Sequence, residues 1–297
     1  MPSKIKNLCR SFILLSVIIL PSIPVDQITT SVHPTNPPID NRHCTFDGSH
    51  TIPFQLVRNK TIVSVRINES REFRVILDTG MPSEGVLLFN SDTADNLNLT
   101  SSERMRIRGA GEGIESFAIR ANAEKISLGD KAFLNQNILI LQNDVMGRSS
   151  LDGVVGYTLF KSGVVQIDYD SQIITLHDPS RFEIDSSWKS FELFFNENNI
   201  PCLDVSISIS GEKSKTARVY IDSASSEALE VLVKPDMAFD LPKNLTEKHL
   251  GRGLSGDIYG KFGQVAELKI GPFALNNVPT AFPLKSVRSA PAPDVSR

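Results

Sequence analysis

The sequence contains few of the residues on which several common kinds of site depend. Its 297 residues include three cysteines, five histidines and one tryptophan, and 31 basic residues stand against 34 acidic ones. A net charge of −3 without a basic, aromatic stripe argues against a nucleic-acid partner. His43 stands beside Cys44 with no further ligand nearby, so we predict neither a metal site nor a cofactor. A Gly-x-Ser-x-Gly motif and a Cys-His nucleophile arrangement are also absent.

Long hydrophobic runs are rare as well, and the clearest one lies near the N-terminus. Residues 11–20 are mostly apolar, follow three basic residues and precede Pro21. This layout is typical of a secretory signal peptide, so we predict that residues 1–30 direct export to the envelope, the periplasm or the medium. The run is shorter than the roughly 20 residues that span a bilayer. Because no small-x-small cleavage site is evident, an uncleaved anchor stays open as the one membrane contact.

The next segment, residues 31–50, contains Pro34, Pro37 and Pro38 and is predicted to be a flexible leader. A signal peptide would carry one cysteine away with it. Cys44 and Cys202 could then pair in an oxidising compartment, but the sequence leaves their geometry open.

From here the pattern predicts β-structure. Apolar and polar residues alternate over 63–67, as in a half-buried strand. The apolar run 75–77 predicts the next strand, which ends at Asp78, Thr79 and Gly80. A carboxylate at the end of a buried strand is costly to desolvate and needs a partner or a function, and glycine permits a turn where a Cβ would clash. An ordinary turn remains the alternative interpretation.

Two further elements follow this strand. Residues 91–97 predict a short helix that Ser91 caps, with Ala94 and Leu97 facing inward. Gly109, Gly111 and Gly113 then predict a mobile hairpin tip, since three glycines in five positions suit mobility better than a rigid turn.

About 75 residues after Asp78, the run Val154-Val155-Gly156 leads into a predicted hairpin over 164–176. An Asp-Thr-Gly strand, a glycine-rich tip and an apolar-apolar-Gly strand in this order resemble one lobe of the retropepsin-like aspartic proteases (clan AA). The resemblance covers roughly residues 52–179. It implies an all-β acid protease barrel in which Asp78 is catalytic, 109–113 is the flap and 154–156 braces the catalytic loop.

A second, similar pattern begins after residue 188. Alternating residues 203–209 precede a strand that ends in Asp222, Ser223 and Ala224, and Asp222 lies 144 positions after Asp78. We therefore predict two tandem lobes at 51–180 and 189–285, with a tail at 286–297. The glycines of 251–256 match a dinucleotide-binding pattern formally, but they lack its strand-and-helix context and occupy the place of a second flap.

The second copy departs from the family pattern. Ala224 stands where glycine is usual, so its methyl group is expected to crowd the loop. The proline-rich tail 286–297 occupies the place of the bracing strand, so we predict an incomplete second lobe. In the first copy, Met81-Pro82 replaces the usual small residues.

The resemblance implies a function as well as a fold. Asp78 and Asp222 would share one proton and activate a water for hydrolysis of a peptide bond. Thr79 and Ser223 would hydrogen-bond across the two loops. If the second lobe is defective, a homodimer that pairs two copies of Asp78 is the alternative arrangement. A non-catalytic module that binds peptides or supports the cell envelope is the alternative function.

Overall fold

The structure is a computed structural model that describes residues 48–82, 85–93, 97, 99–147, 149–156, 163–198, 200–210, 213–232 and 241–284. The predicted signal peptide, nearly all of the leader and the tail 286–297 lie outside these residues. Within these ranges, no helix is both long enough and apolar enough to cross a membrane.

The first eleven strands run from Ser49 to His177. They are β1 Ser49–Val57, β2 Lys60–Ile67, β3 Glu72–Leu77, β4 Val86–Leu88, β5 Thr100–Ile107, β6 Glu112–Gly113, β7 Ser116–Leu128, β8 Lys131–Leu141, β9 Gly153–Val155, β10 Val164–Asp168 and β11 Ile173–His177. All except β6 form one ten-stranded sheet in the order β10-β11-β1-β2-β3-β9-β4-β8-β7-β5. We call the part of the chain built on this sheet the first lobe.

The middle of this sheet closes into a barrel. Since β2 pairs with β7 as well as with β3, the strands β2, β3, β9, β4, β8 and β7 form a closed ring of six. The apolar side chains of residues 63–67 point into the barrel as predicted. Val63, Val65 and Ile67 are at most 1% exposed, and the residues between them face solvent. Phe73 and Phe133 are equally buried. The predicted all-β barrel is confirmed.

The strand β9 lies between β3 and β4. It runs parallel to β3, with Leu77 opposite Val155, and antiparallel to β4. Because Leu77 is the last residue of β3, this register places Val155 and Gly156 directly beside the loop that contains Asp78.

The second sheet is formed mostly by the C-terminal half of the chain. Its strands are β12 Phe194–Phe195, β13 Pro201–Ser208, β14 Lys215–Tyr220, β15 Leu229–Glu230, β16 Thr246–Gly253, β17 Gly256–Ile270 and β18 Phe273–Pro283, together with β6. The order β12-β13-β17-β18-β15 is extended by β14, which pairs with β13, and by β16, which pairs with β17. We call this part the second lobe.

The ring of strands in the second lobe is open. In the first lobe, β9 joins β3 to β4, but among the residues described here no strand joins β14 to β15. The hydrophobic core of the second lobe is smaller than that of the first. Val219, Leu229 and Val265 are nevertheless fully buried in it.

The predicted helix over 91–97 is described only over its first three residues and at Leu97. The described part is a three-residue 3-10 turn, Ser91–Thr93, and Ala94 lies outside the described residues. The backbone N–H of Asp92 donates to Oδ1 of Asn90 at 2.8 Å, and such local side-chain bonds compete with helix formation. Leu97 is buried, as expected.

The thiol of Cys202 is free and buried. Burial raises its pKa, because the thiolate would lose its hydration. Cys44 lies outside the described residues, so the pairing of these two cysteines stays a prediction.

Candidate active site

Two loops of similar geometry carry the predicted aspartates. In the first, Oδ1 of Asp78 accepts a hydrogen bond from the backbone N–H of Gly80 at 2.7 Å. In the second, Oδ1 of Asp222 accepts one from the backbone N–H of Ala224 at 2.9 Å. Each aspartate therefore fixes the backbone two residues further on, and each loop continues directly from a strand of its own lobe.

Four hydrogen bonds hold the two loops face to face. The hydroxyl of Thr79 donates to the carbonyl of Ile221 at 2.6 Å and accepts from the backbone N–H of Ser223 at 2.9 Å. In return, the hydroxyl of Ser223 donates to the carbonyl of Leu77 at 2.6 Å and accepts from the N–H of Thr79 at 3.1 Å. The structure thus brings together, within one chain, the two loops that the sequence placed 144 residues apart.

The aspartates lie in a largely desolvated place. Asp222 is 8% exposed and Ser223 is 6% exposed, while Asp78 is half-buried. Charged carboxylates at such positions need hydrogen-bond donors or a counter-charge to offset the lost hydration. The backbone N–H groups of Gly80 and Ala224 supply part of that compensation.

A counter-charge comes from Lys60, which the sequence reasoning missed. Its ammonium group donates a hydrogen bond to the carbonyl of Ala224, across the boundary between the lobes. Burial lowers the pKa of Lys60, and the carboxylates of four acidic residues, among them Asp222 and Asp78, oppose this shift. The signal that could have identified it is weak, since a lysine at a hairpin turn is usually exposed to solvent.

Two hairpin tips meet near these loops. The tip between β5 and β7 contains β6, which pairs with the start of β17 so that Gly113 lies opposite Gly256. The N–H of Ile114 donates to the carbonyl of Ser255 at 2.9 Å, and the N–H of Ser255 donates to the carbonyl of Ala110 at 2.8 Å. The structure therefore brings together the two segments that the sequence predicts to be flaps.

Two of the three flap glycines, Gly109 and Gly111, are required by this close approach. A Cβ on Gly111, whose φ is +98°, would lie 2.0 Å from the carbonyl oxygen of Gly256. A Cβ on Gly109 would lie 2.8 Å from the side chain of Leu254. Close backbone approach explains these glycines directly, whereas the predicted mobility of the tip is a separate property.

Apolar side chains from the loops and the tips pack together in one hydrophobic cluster. The cluster includes Met81 after the first loop, Val154 of the brace and Ala224 of the second loop, with Ile114 and Leu254 from the two tips.

The departures noted in the sequence fit this packing. Met81 covers the brace, because a Cβ on Gly156 would lie 2.8 Å from its side chain. The second loop accommodates the methyl group of Ala224, which packs in the apolar cluster and whose backbone φ is not positive. The expected crowding at Ala224 is therefore not seen.

In the part of the chain that the structure describes, no group of three or more His, Cys, Asp or Glu side chains is arranged to hold a metal ion.

The comparisons with known proteins concern the first lobe most directly. Residues 63–159 match the family model described as aspartyl protease, and this segment contains Asp78, the flap glycines and the brace. Among solved structures, the crystal structure of an aspartic proteinase from Irpex lacteus is similar, with 13% sequence identity and a TM-score of 0.45. That match covers 77% of this chain and 78% of the other. No curated protein matches the sequence. The first lobe is therefore similar to the aspartyl protease family over residues 63–159.

Proposed function

We propose that the protein is an aspartic-type endopeptidase in which Asp78 and Asp222 form the catalytic pair. One observation carries the proposal: the reciprocal hydrogen bonds of Thr79 and Ser223 hold both acidic loops face to face in one chain. A structural turn would not need two acids, from two sheets, at the ends of strands joined in this way.

The chemistry follows from the arrangement of two carboxylates. Two carboxyl groups that lie close together cannot both ionise easily, because their negative charges repel. The pair therefore holds one proton between its members. The ionised carboxylate takes a proton from a water molecule, which attacks the carbonyl carbon of the peptide bond. The protonated carboxyl donates its proton to the carbonyl oxygen as the tetrahedral intermediate forms. This route involves no covalent bond to the protein.

The surroundings support a peptide substrate with apolar side chains. The hydrophobic cluster that contains Val154, with Ile114 and Leu254 packed against it, adjoins the acidic loops and both tips, so a peptide bound there would meet apolar side chains. The backbone groups of the two flap tips are positioned for β-type pairing, which an extended peptide can also form.

We also infer that the two lobes are copies of one ancestral unit. Gly129 and Gly271 follow equivalent strands and have φ values of 55° and 53°. Asn135 and Asn277 lie at matching places in the next strands, with φ values of 52° and 53°. Left-handed backbone is uncommon at non-glycine residues, so its recurrence at Asn135 and Asn277 supports the repeat.

The alternative is a non-catalytic module that binds peptides or supports the envelope. Two observations favour it: the ring of strands in the second lobe is open over the described residues, and the flap tips hydrogen-bond to each other. Export, which the N-terminal sequence predicts, is a further proposal. Sequencing the N-terminus of mature protein recovered outside the cytoplasm tests it, with a start between residues 20 and 35 expected and an intact Met1 in the cytosol opposing it.

The activity test uses purified protein, an unfolded protein substrate and product identification by mass spectrometry. We expect Asp78→Asn to abolish cleavage, and Asp222→Asn to do the same if both loops serve one site. Asp130→Asn, which alters an exposed carboxylate, serves as the matched control and should cleave normally. Full activity of Asp222→Asn would indicate a homodimer that pairs two copies of Asp78. Cleavage that survives Asp78→Asn, or that a chelator stops, would contradict the proposal, and no cleavage by folded protein at any pH would favour the binding module.

A further inference from the structure

We propose that Lys60 is a positioning residue of the acidic site, which supports the second loop from the first lobe and biases the protonation of both aspartates. The proposal rests on the proposed function for its catalytic meaning, but its structural content can be tested without cleavage.

The two acidic loops receive different support from their own lobes. In the first lobe, the N–H of Asp78 donates to the carbonyl of Val155 at 2.9 Å, and the N–H of Gly156 donates to the carbonyl of Gly85 at 3.3 Å. The strand β9 therefore holds the first loop on one side. The second lobe has no strand in this place among the residues that the structure describes. Its loop needs a different support if both loops are to keep similar positions.

The turn between β1 and β2 supplies that support. The ammonium group of Lys60 donates to the carbonyl of Ala224, and Nδ2 of Asn59 donates to the carbonyl of Ser226 at 3.0 Å. These contacts join residues 164 and 167 positions apart in the sequence. One end of the second loop is thus fixed by two adjacent residues of the first lobe.

The geometry of this turn makes the contact rigid. Val57 pairs with Lys60, so the turn has only two central residues, Arg58 and Asn59. Their φ values are 49° and 62°, both in the left-handed region, as in a type I′ hairpin turn. Such a turn fixes the direction in which Lys60 leaves the strand, so the lysine approaches Ala224 with little freedom in its backbone.

The charge of Lys60 acts on the acidic pair. The carboxylates that face it are Asp222 and Asp78 from the two loops, with Glu227 and Glu230 from the segment at β15. Glu227 also has a second cation, Lys248, at 3.6 Å. Burial lowers the pKa of Lys60, while the four carboxylates raise it, with Asp222 as the largest of them. A cation near two carboxylates favours their ionised forms.

Removal of the Lys60 charge should shift the pH dependence of the acidic pair in a predictable direction. In Lys60→Met, the loss of a nearby cation should move both proton-binding steps of the Asp78–Asp222 pair to higher pH. The acid and alkaline limbs of the kcat/KM profile should move in the same direction. A purely structural role would lower activity at every pH without moving the limbs.

The test measures these steps in two independent ways. Carboxyl carbon NMR of aspartate-labelled protein follows both titrations without a substrate, with Asp78→Asn and Asp222→Asn for assignment, and kcat/KM is measured over the same pH range. Lys125→Met is the matched control, since Lys125 pairs with Glu69 on the exposed surface. It should leave both measurements unchanged. Lys60→Arg retains the charge and should keep the titrations close to those of the unmodified protein. If Lys60→Met does not fold, Lys60→Gln replaces it.

A second variant tests the support of the loop separately from the charge. Asn59→Gly removes the amide that binds Ser226 but keeps a residue that tolerates the left-handed backbone. Hydrogen exchange at the amides of Ala224 and Ser225 should become faster in Asn59→Gly and in Lys60→Met, while the titrations move only in Lys60→Met.

The outcomes separate this inference from the proposed function. Unchanged titrations and unchanged hydrogen exchange in folded Lys60→Met would overturn the role of Lys60, even if the protein cleaves peptides. Shifted titrations in a protein that cleaves nothing would support the role of Lys60 and contradict the peptidase.

Discussion

The hydroxyl groups of Thr79 and Ser223 each donate to a backbone carbonyl of the opposite loop and accept from the backbone N–H of the other residue. Because each hydroxyl donates to one backbone group and accepts from another, the four bonds form a closed set that links the two sheets. A shift of one loop relative to the other would break several bonds at once. The relative position of Asp78 and Asp222 is therefore set by two small side chains.

The first prediction concerns this link. Thr79→Val keeps the shape of the side chain but removes its hydroxyl, so the carbonyl of Ile221 and the N–H of Ser223 lose their partner. Leaving buried polar groups unpaired costs about 1–3 kcal/mol each, and we expect a loss of that order in the free energy of unfolding, measured by urea denaturation. Thr79→Ser keeps the hydroxyl and should lie within about 1 kcal/mol of the unmodified protein. Equal losses in both variants would contradict this account.

The second prediction concerns the brace. A Cβ on Gly153 would lie 2.1 Å from the carbonyl oxygen of Leu87, which is backbone and cannot move without displacing β4. A Cβ on Gly156 would have the side chain of Met81 as its nearest neighbour, at 2.8 Å from Cβ and 3.0 Å from Sδ, and no backbone atom as close as that. Gly153→Ala should therefore lower the thermal midpoint clearly, by an overpacking cost of about 1–3 kcal/mol, and Gly156→Ala should lower it less. The reverse order would show that Met81 cannot adjust.

The third prediction concerns the pairing of the flap tips. Gly111→Ala places a methyl group against the carbonyl of Gly256 and should separate β6 from β17. The amides of Ile114 and Ser255 should then exchange with solvent faster, because their hydrogen bonds depend on that pairing.

Gly113→Ala is the matched control for this experiment. Gly113 has a similar left-handed φ of +91°, but a Cβ there would have nothing within 4 Å. It therefore introduces the backbone strain without the clash. If both variants accelerate exchange equally, backbone strain rather than the clash with Gly256 is what separates the tips.

The fourth prediction concerns pH and the ion pair on β13 and β14. Arg218 binds both oxygens of Asp204, at 2.7 and 2.9 Å, and these bonds lower the pKa of Asp204 below its ordinary value of 3.8. Since the unfolded chain binds a proton more readily, the pair stabilises the fold above that value and loses its effect as pH falls through the lowered pKa.

Both side chains of this pair are 42% exposed, so the contribution is small. We expect Asp204→Asn to reduce the free energy of unfolding by about 0.5 kcal/mol at pH 7. The difference from the unmodified protein should disappear near pH 2. A difference that persists at that pH would indicate packing rather than charge.

The first acidic site was largely predictable from sequence because its parts are local patterns. Asp78 follows an apolar strand, and Val154 to Gly156 form a short apolar run whose glycine marks its end. The parallel register of β3 and β9 then places both at one edge of the sheet. The predicted helix over 91–97 is described only over Ser91–Thr93, where it is a 3-10 helix beside the local bond between Asn90 and Asp92.

Lys60 was missed for a different reason. Its role depends on contact with Ala224, 164 residues away, and no periodicity or spacing encodes that contact. The sequence predicts crowding at Ala224 because glycine is usual at its position, but the backbone φ of Ala224 is not positive and does not need glycine. Long-range packing, rather than local propensity, determines both the contact of Lys60 and the fit of the Ala224 methyl group.

The pairing of β6 with β17 also has a thermodynamic consequence for any peptide that binds between the tips. The measured dissociation constant is the intrinsic one divided by the fraction of molecules whose tips are apart. If that fraction is about one in a hundred, the apparent affinity is about a hundredfold weaker than the contacts alone would give. This penalty is the same for every peptide, so it leaves the ranking of sequences unchanged and raises the concentration at which the protein begins to act.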